Sequence, residues 1–293
     1  MKTPVILSFL LALTVAANAQ VSRGIVKEGL TLDSKIMGAK VRYTIYLPFD
    51  YENSNRFYPV VYLLHGYTDT DMAWIQFGEA HLIADEAIAS REIPPMIIVM
   101  PDAGVSWYIN NYNNSVRYED FFFQEFLPYI ESHYRIRAEK NYRGIAGLSM
   151  GGFGTLVYLM RHPEQFVAGA ALSPAVNTTE QFIAMHEQAW GRWPTAIYGP
   201  GSGAARITEH LLSYNPIRIV ETAEAEKLKS VRIYLDCGDD DYLTIGNAML
   251  HVALTQRQIP HEYRVRDGSH AWSYWRSGLL QALKFIGTSF HKP

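Results

Sequence analysis

Along the chain, short runs without a polar position alternate with longer stretches in which apolar residues return every three or four. Residues 41–47 (Val41-Arg42-Tyr43-Thr44-Ile45-Tyr46-Leu47) alternate with the period of a strand, and Pro48 ends them. Pro59 to Leu64 and Met96 to Met100 are continuous apolar runs, the pattern of strands covered on both faces of a parallel sheet, and Pro101 and Gly104 stop the second. Residues 119–134 carry Phe122, Phe126, Tyr129 and Ile130 on one helical face, with Pro128 as its weak point. Arg143 to Gly147 reads as a short strand, and behind it Phe153, Leu156, Val157 and Met160 fall at i, i+3, i+4 and i+7 of a helix. Phe166 to Leu172 and Val231 to Asp236 are further buried strands, 243–257 a helix and 261–266 a strand. Trp272, Trp275, Leu279, Leu283 and Ile286 stripe a C-terminal helix.

Strands alternating with helices predict an α/β fold, a mostly parallel central sheet with helices on both faces. No Pro/Ser/Gly-rich tract, charge run or internal repeat divides the chain, so a single domain is expected over residues 20–293. The exception to the pattern is 174–230, which shows no strand and holds Trp190, Trp193, Pro194 and Gly199-Pro200-Gly201. It reads as an insertion lying over the sheet edge, and long excursions of this kind are often lids.

The first 19 residues stand apart. Met1-Lys2-Thr3 is a short basic start, Val5 to Val15 is apolar, and Ala17-Asn18-Ala19 ends in small residues. These are the marks of a secretory signal peptide cleaved after Ala19; the run is shorter than the ~20 residues a membrane span needs. The expectation is an exported protein without stable membrane insertion, in a bacterial periplasm or secreted. Composition narrows the partners. With 26 Lys+Arg against 29 Asp+Glu and a net charge of −3, there is no field to grip nucleic acid or an anionic membrane. The one cysteine, Cys237, rules out an intrachain disulfide and a Cys-rich zinc site.

Gly147-Leu148-Ser149-Met150-Gly151 matches G-x-S-x-G, with a predicted strand before it and a helix after it. That context is what a nucleophile elbow requires: a sharp turn that lifts Ser149 above the sheet, with glycines where a Cβ would collide. Such a serine needs a base, an orienting acid and oxyanion donors, the acid and then the histidine following in chain order. His270 lies in Asp267-Gly268-Ser269-His270, between the last strand and the last helix, where a base must sit to reach the elbow. His251 and His261 come too early. For the acid, Asp236, Asp239, Asp240 and Asp241 all follow the strand 231–235, and spacing does not choose among them. The oxyanion donors expected are the N–H groups of Met150 and of Tyr67, the latter in the loop His65-Gly66-Tyr67 after an early strand. His65 is expected to shape that loop through bonds to backbone.

Taken in order, Tyr62-Leu63-Leu64-His65-Gly66, Pro101-Asp102-Ala103-Gly104, Tyr118-Glu119, Gly147-Leu148-Ser149-Met150-Gly151-Gly152, Cys237-Gly238-Asp239-Asp240-Asp241 and Gly268-Ser269-His270 carry a resemblance. The chain resembles the esterase D / carbohydrate esterase family 1 group of the α/β-hydrolase superfamily over most of its length. That group includes feruloyl esterases, acetyl xylan esterases, S-formylglutathione hydrolases and mycolyltransferases. The resemblance implies an α/β-hydrolase fold, a Ser149–His270–Asp241 triad with Asp241 as the acid, and no metal or organic cofactor. With export, it implies a serine esterase acting on an ester-bearing small molecule or oligosaccharide, feruloyl esters of plant polysaccharide first. Acetyl xylan esterase and general carboxylesterase activity are the alternatives, with acyl transfer or a non-catalytic carbohydrate-binding role behind them. Trp107, Tyr108, Trp190, Trp193, Trp272 and Trp275 are candidates for stacking on a phenolic acid or sugar ring. Their other reading is core and lid packing.

Overall fold

The uninterrupted apolar runs form strands with no exposed position. In the computed structural model, which describes residues 22–290, the strands are β1 (Ile25–Ser34), β2 (Ala39–Leu47), β3 (Val60–Leu64), β4 (Ile97–Pro101), β5 (Arg143–Leu148), β6 (Ala168–Leu172), β7 (Arg232–Gly238) and β8 (His261–Arg266). The expected export signal over residues 1–19 lies outside the described residues. One sheet takes the order β1-β2-β4-β3-β5-β6-β7-β8, antiparallel across β1/β2 and β2/β4 and parallel across the remaining pairs.

Period-two alternation then splits the core in two. In β3, Val60, Tyr62 and Leu64 enter one layer and Val61 and Leu63 the other. The first layer is closed by helices Met150–Arg161 and Thr244–Gln256, the second by Ala80–Ala89 and Trp272–Gly287. This is the α/β-hydrolase architecture the motifs implied.

Three features differ from the sequence pattern. β1 adds a strand, a half-exposed edge whose period is hidden under charged residues such as Lys27, Glu28 and Asp33. The helix expected over 119–134 is broken into Tyr118–Phe121, a π turn at Phe122–Phe126, and Leu127–His133. Pro128 has no N–H for the carbonyl four residues back, and the wide turn precedes it. Residues 174–230 do not lie over a sheet edge. They join the interior strands β6 and β7 as a string of short helices, and Pro216–Thr222 packs against Met150–Arg161. A parallel crossover must return over a face of the sheet, so the end of the excursion joins the helical layer. No helix among the described residues is long and apolar enough to cross a membrane.

Candidate active site

β5 ends at Leu148 and the next helix starts at Met150, so Ser149 alone makes the turn between them. Its φ of 53° and ψ of −115° lie where a side chain is rarely tolerated. Backbone bonds hold it there. Ser149 N–H donates to the Leu172 carbonyl (2.9 Å), and the Ser149 carbonyl accepts from the N–H groups of Phe153 (2.9 Å) and Ala175 (3.0 Å). The elbow lies so close to β3 that a Cβ on Gly151 would run into the carbonyls of Leu64 and His65. The hydroxyl therefore emerges at the carboxyl end of the sheet, beside the positive end of a 12-residue helix.

Because β5, β7 and β8 are parallel, the loops that follow them open on that same side. The loops after β7 and β8 are stitched together. Asp239 N–H donates to the Arg266 carbonyl (3.1 Å), Asp240 N–H to the Gly268 carbonyl (3.1 Å), and Gly268 N–H to Asp239 Oδ1 (3.0 Å). Gly238 has no room for a Cβ against the Gly268 carbonyl. The result is a chain of two bonds: His270 Nε2 lies 2.9 Å from Ser149 Oγ, and His270 Nδ1 lies 2.8 Å from Asp241 Oδ2.

The four carboxylates left open by spacing occupy different surroundings. Asp239 and Asp240 are exposed. Asp236 shares a face of β7 with Tyr234 and is taken up by Arg266 Nε (3.0 Å), the Tyr234 hydroxyl (3.0 Å) and the Tyr274 hydroxyl. Asp241 is buried, and its Oδ1 accepts from Leu243 N–H (2.9 Å). Burial pushes the Asp241 carboxyl up, but the bonds from His270 and Leu243 N–H outweigh it and hold it below the ordinary carboxylate value.

The loop His65-Gly66-Tyr67 runs past Ser149: a Cβ on Gly66 would stand 3.8 Å from Ser149 Cβ. His65 is buried. Its Nδ1–H donates to the Gly66 carbonyl (2.8 Å) and its Nε2 accepts from Ala103 N–H (2.9 Å), tying this loop to the one after β4. Among the described residues, the N–H groups of Tyr67 and Met150 have no backbone acceptor.

The aromatic candidates separate into two kinds. Trp107 and Trp193 stack face to face at 3.8 Å, with Tyr67 6.2 Å from Trp107, so the insertion is clasped to the loops around the elbow. Tyr108 and Trp190 are corrections to the expected substrate-binding set. Tyr108 is fully buried against Gly154 and donates its hydroxyl to the His65 carbonyl (3.1 Å). Trp190 is buried between Phe182 and the Arg206 guanidinium. Trp272 packs on Trp74 (5.2 Å) and Phe77 (5.6 Å), while Trp275 stands edge-on to His270 at 4.8 Å. Tyr242 is an addition: its exposed ring lies 4.7 Å from His270, and its place next to Asp241 was the available signal.

Other reactive groups are set apart. Cys237 is buried, and burial followed by the Asp241 charge pushes its thiol up to about 12, far from a thiolate at neutral pH. Among the described residues, metal-ligand spacing occurs in Asp239, Asp240 and Asp267, all exposed acidic groups of a kind common without an ion.

The Esterase family model matches residues 34–286 of the chain. Esterase Rv1288 of Mycobacterium tuberculosis (strain ATCC 25618 / H37Rv) is 30% identical over 251 residues, 78% of this chain and 52% of that protein. The endo-1,4-beta-xylanase/feruloyl esterase of Xylanibacter ruminicola is 31% identical over 160 residues, 52% of this chain and 22% of that protein. The chain thus spans about half the length, or less, of these curated relatives. A solved ferulic acid esterase is 35% identical, with a TM-score of 0.77 over 91% of this chain and 99% of that one.

Proposed function

The chain belongs to the Esterase family, as a serine ester hydrolase on the α/β-hydrolase fold, and from that premise we propose that it removes feruloyl groups from plant polysaccharide fragments through Ser149, His270 and Asp241. The observation that carries the reading is the pair of bonds at 2.9 and 2.8 Å linking Ser149 Oγ, His270 and Asp241. Asp241 accepts from His270 Nδ1–H, which leaves Nε2 as the acceptor for the serine proton. As Oγ attacks the ester carbonyl, that proton passes to Nε2. The oxyanion is met by the N–H groups of Met150 and Tyr67. Collapse of the tetrahedral intermediate breaks the bond to the alcohol oxygen, which leaves with the proton from Nε2. Water then attacks the acyl-enzyme by the same route and frees the carboxylic acid. Asp241 stabilises the imidazolium formed in each half.

The feruloyl assignment draws on two supports. One is the naming of relatives: a ferulic acid esterase is similar over nearly the whole chain, and a feruloyl esterase matches part of it. The other is the pair of accessible aromatics beside the elbow, the half-buried Trp193, backed by the buried Trp107, and the exposed Tyr242 next to His270, suited to a phenolic ring. Export through residues 1–19 belongs to the same reading, since a thioester of glutathione is a cytosolic substrate. The test is an ester panel on the protein expressed from its full sequence, with the mature N-terminus sequenced. Methyl ferulate should be hydrolysed in preference to 4-nitrophenyl acetate and acetylated xylan, by a chain beginning at Gln20. Ser149→Ala should lower turnover by about 10⁶-fold with the circular dichroism spectrum unchanged. Near-normal turnover in that variant removes the serine mechanism, and acetylxylan alone as substrate reassigns the acyl group.

A further inference from the structure

The turn that supplies Asp241 also throws one aromatic ring outward. Asp241 and Leu243 are both buried; Asp241 Oδ1 accepts from Leu243 N–H (2.9 Å) and the Asp241 carbonyl from Thr244 N–H (2.9 Å). An aspartate that bonds the backbone two residues on closes a tight turn, and the residue between two buried neighbours is left facing solvent. Tyr242 is that residue, 71% exposed, on a segment fixed by the same bonds that fix Asp241.

His270 has one flank closed and one open. Trp275 is buried and stands edge-on to the imidazole at 4.8 Å. The exposed Tyr242 ring lies 4.7 Å away, tilted at 50° to the imidazole. Its hydroxyl bonds no other group among the described residues. On the same two loops, Asp239, Asp240 and Asp267 are exposed, with carboxylate oxygens within 4.8 Å of one another.

We propose that Tyr242 forms the alcohol side of the site and receives a neutral sugar ring carried by the leaving group. On the esterase reading, which this assignment rests on, His270 Nε2 hands its proton to the oxygen of the departing alcohol. That oxygen must therefore come within hydrogen-bond reach of the imidazole. Whatever the oxygen carries is held beside the imidazole as well, where Trp275 fills one flank and Tyr242 offers the other. Of the two accessible rings, this leaves Trp193 to the acyl group. A sugar suits the place in two ways. Its C–H face can lie on the exposed phenol ring. Its hydroxyls find the free Tyr242 hydroxyl and a loop rich in carboxylates, which accept hydrogen bonds and have none to donate. The same carboxylates repel an anionic alcohol, and a purely aliphatic one has nothing to give them.

Esters that differ only in the alcohol test this, hydrolysed by the wild type, Tyr242→Ala and Tyr242→Phe. The wild type should show a higher kcat/KM for feruloyl arabinose than for methyl ferulate. Tyr242→Ala should lower that ratio about 3- to 10-fold, mostly through KM, with circular dichroism unchanged; this is the worth of one aromatic contact. Tyr242→Phe keeps the ring and should lower it about twofold at most. The same ratio is read for acetylated xylobiose against methyl acetate, so that an error in the acyl group does not pass for an error at Tyr242. A ratio unchanged in Tyr242→Ala overturns the proposal, since the ring would then shelter His270 alike for every ester. So does an equal loss for hexyl ferulate and feruloyl arabinose, which would make the ring a seat for any bulky alcohol.

Discussion

The floor of the candidate site and the helical cover clasped to its loops are held in place by different means. On the floor, Ser149, Asp241 and His270 are positioned by backbone: parallel register, a left-handed serine, and glycines with no room for a Cβ. In the cover, residues 174–230, side chains do that work. The buried Arg206 guanidinium donates to the carbonyls of Phe182, Ile183, Met185 and Gly201 and pairs with Glu187 at 2.6 Å. Trp193 stacks on Trp107. Glu119, buried beneath both, accepts from Arg161 (2.9 Å), the Tyr214 hydroxyl (2.6 Å) and the His162 ring (2.9 Å), joining the elbow helix to the cover. A backbone-built floor keeps its geometry when a side chain in the cover changes. Under the proposed function, changes in the cover should therefore alter what fits more than whether an ester is cleaved.

Three substitutions probe that division, in falling order of effect. Asp241→Asn should lower kcat by about 10⁴-fold, because the amide favours the wrong His270 tautomer, while the melting temperature moves little. A loss in KM alone would mean that Asp241 belongs to binding and not to the floor. Glu119→Gln should act on stability instead. Burial would raise this carboxyl, but its bonds to His162, Arg161 and Tyr214 outweigh burial and lower it to about 2 from 4.5. A depressed carboxylate contributes stability above its unfolded value and loses it as pH falls through the folded one. Glu119→Gln should thus cost about 3 kcal/mol at neutral pH, measured by urea unfolding, with a smaller penalty towards pH 2. An equal penalty at both ends would place the effect in packing and not in charge. Trp193→Ala should raise KM for methyl ferulate by about 2- to 10-fold, the worth of one aromatic contact. KM for 4-nitrophenyl acetate should stay put; a parallel rise for both esters would return Trp193 to a purely structural role.

Much of the floor was visible in the chain before folding. The unbroken runs of β3 and β4 announce strands covered on both faces, because only such strands can dispense with polar positions. Gly147-Leu148-Ser149-Met150-Gly151 announces its own turn, since the constraint is steric and local. The position of His270 follows from its place between the last strand and the last helix. The cover was far less legible. Trp107 and Trp193 stand 86 positions apart and Tyr108 beside Trp107, yet Trp107 stacks on the half-buried Trp193 while Tyr108 is sunk under the elbow helix. Nothing local distinguishes these rings. β1 leaves no clear pattern in the sequence for a related reason: an edge strand with one wet side and a bulge at Lys27/Leu30 blurs its own period.

The sequence by itself determined the alternation of strand and helix, the elbow at Ser149 and the identity of a late histidine, all of which depend on sterics and periodicity over a few residues. The choice of Asp241 among four neighbouring carboxylates was open to spacing and came only from the resemblance; the tertiary structure alone decided how Asp241 reaches His270 while Asp236 is taken up by Arg266, Tyr234 and Tyr274, and which aromatics stay accessible and which fill the core. Each of those depends on where distant segments meet, and that is set by sheet register and by the return path of a crossover, neither of which has a local signature.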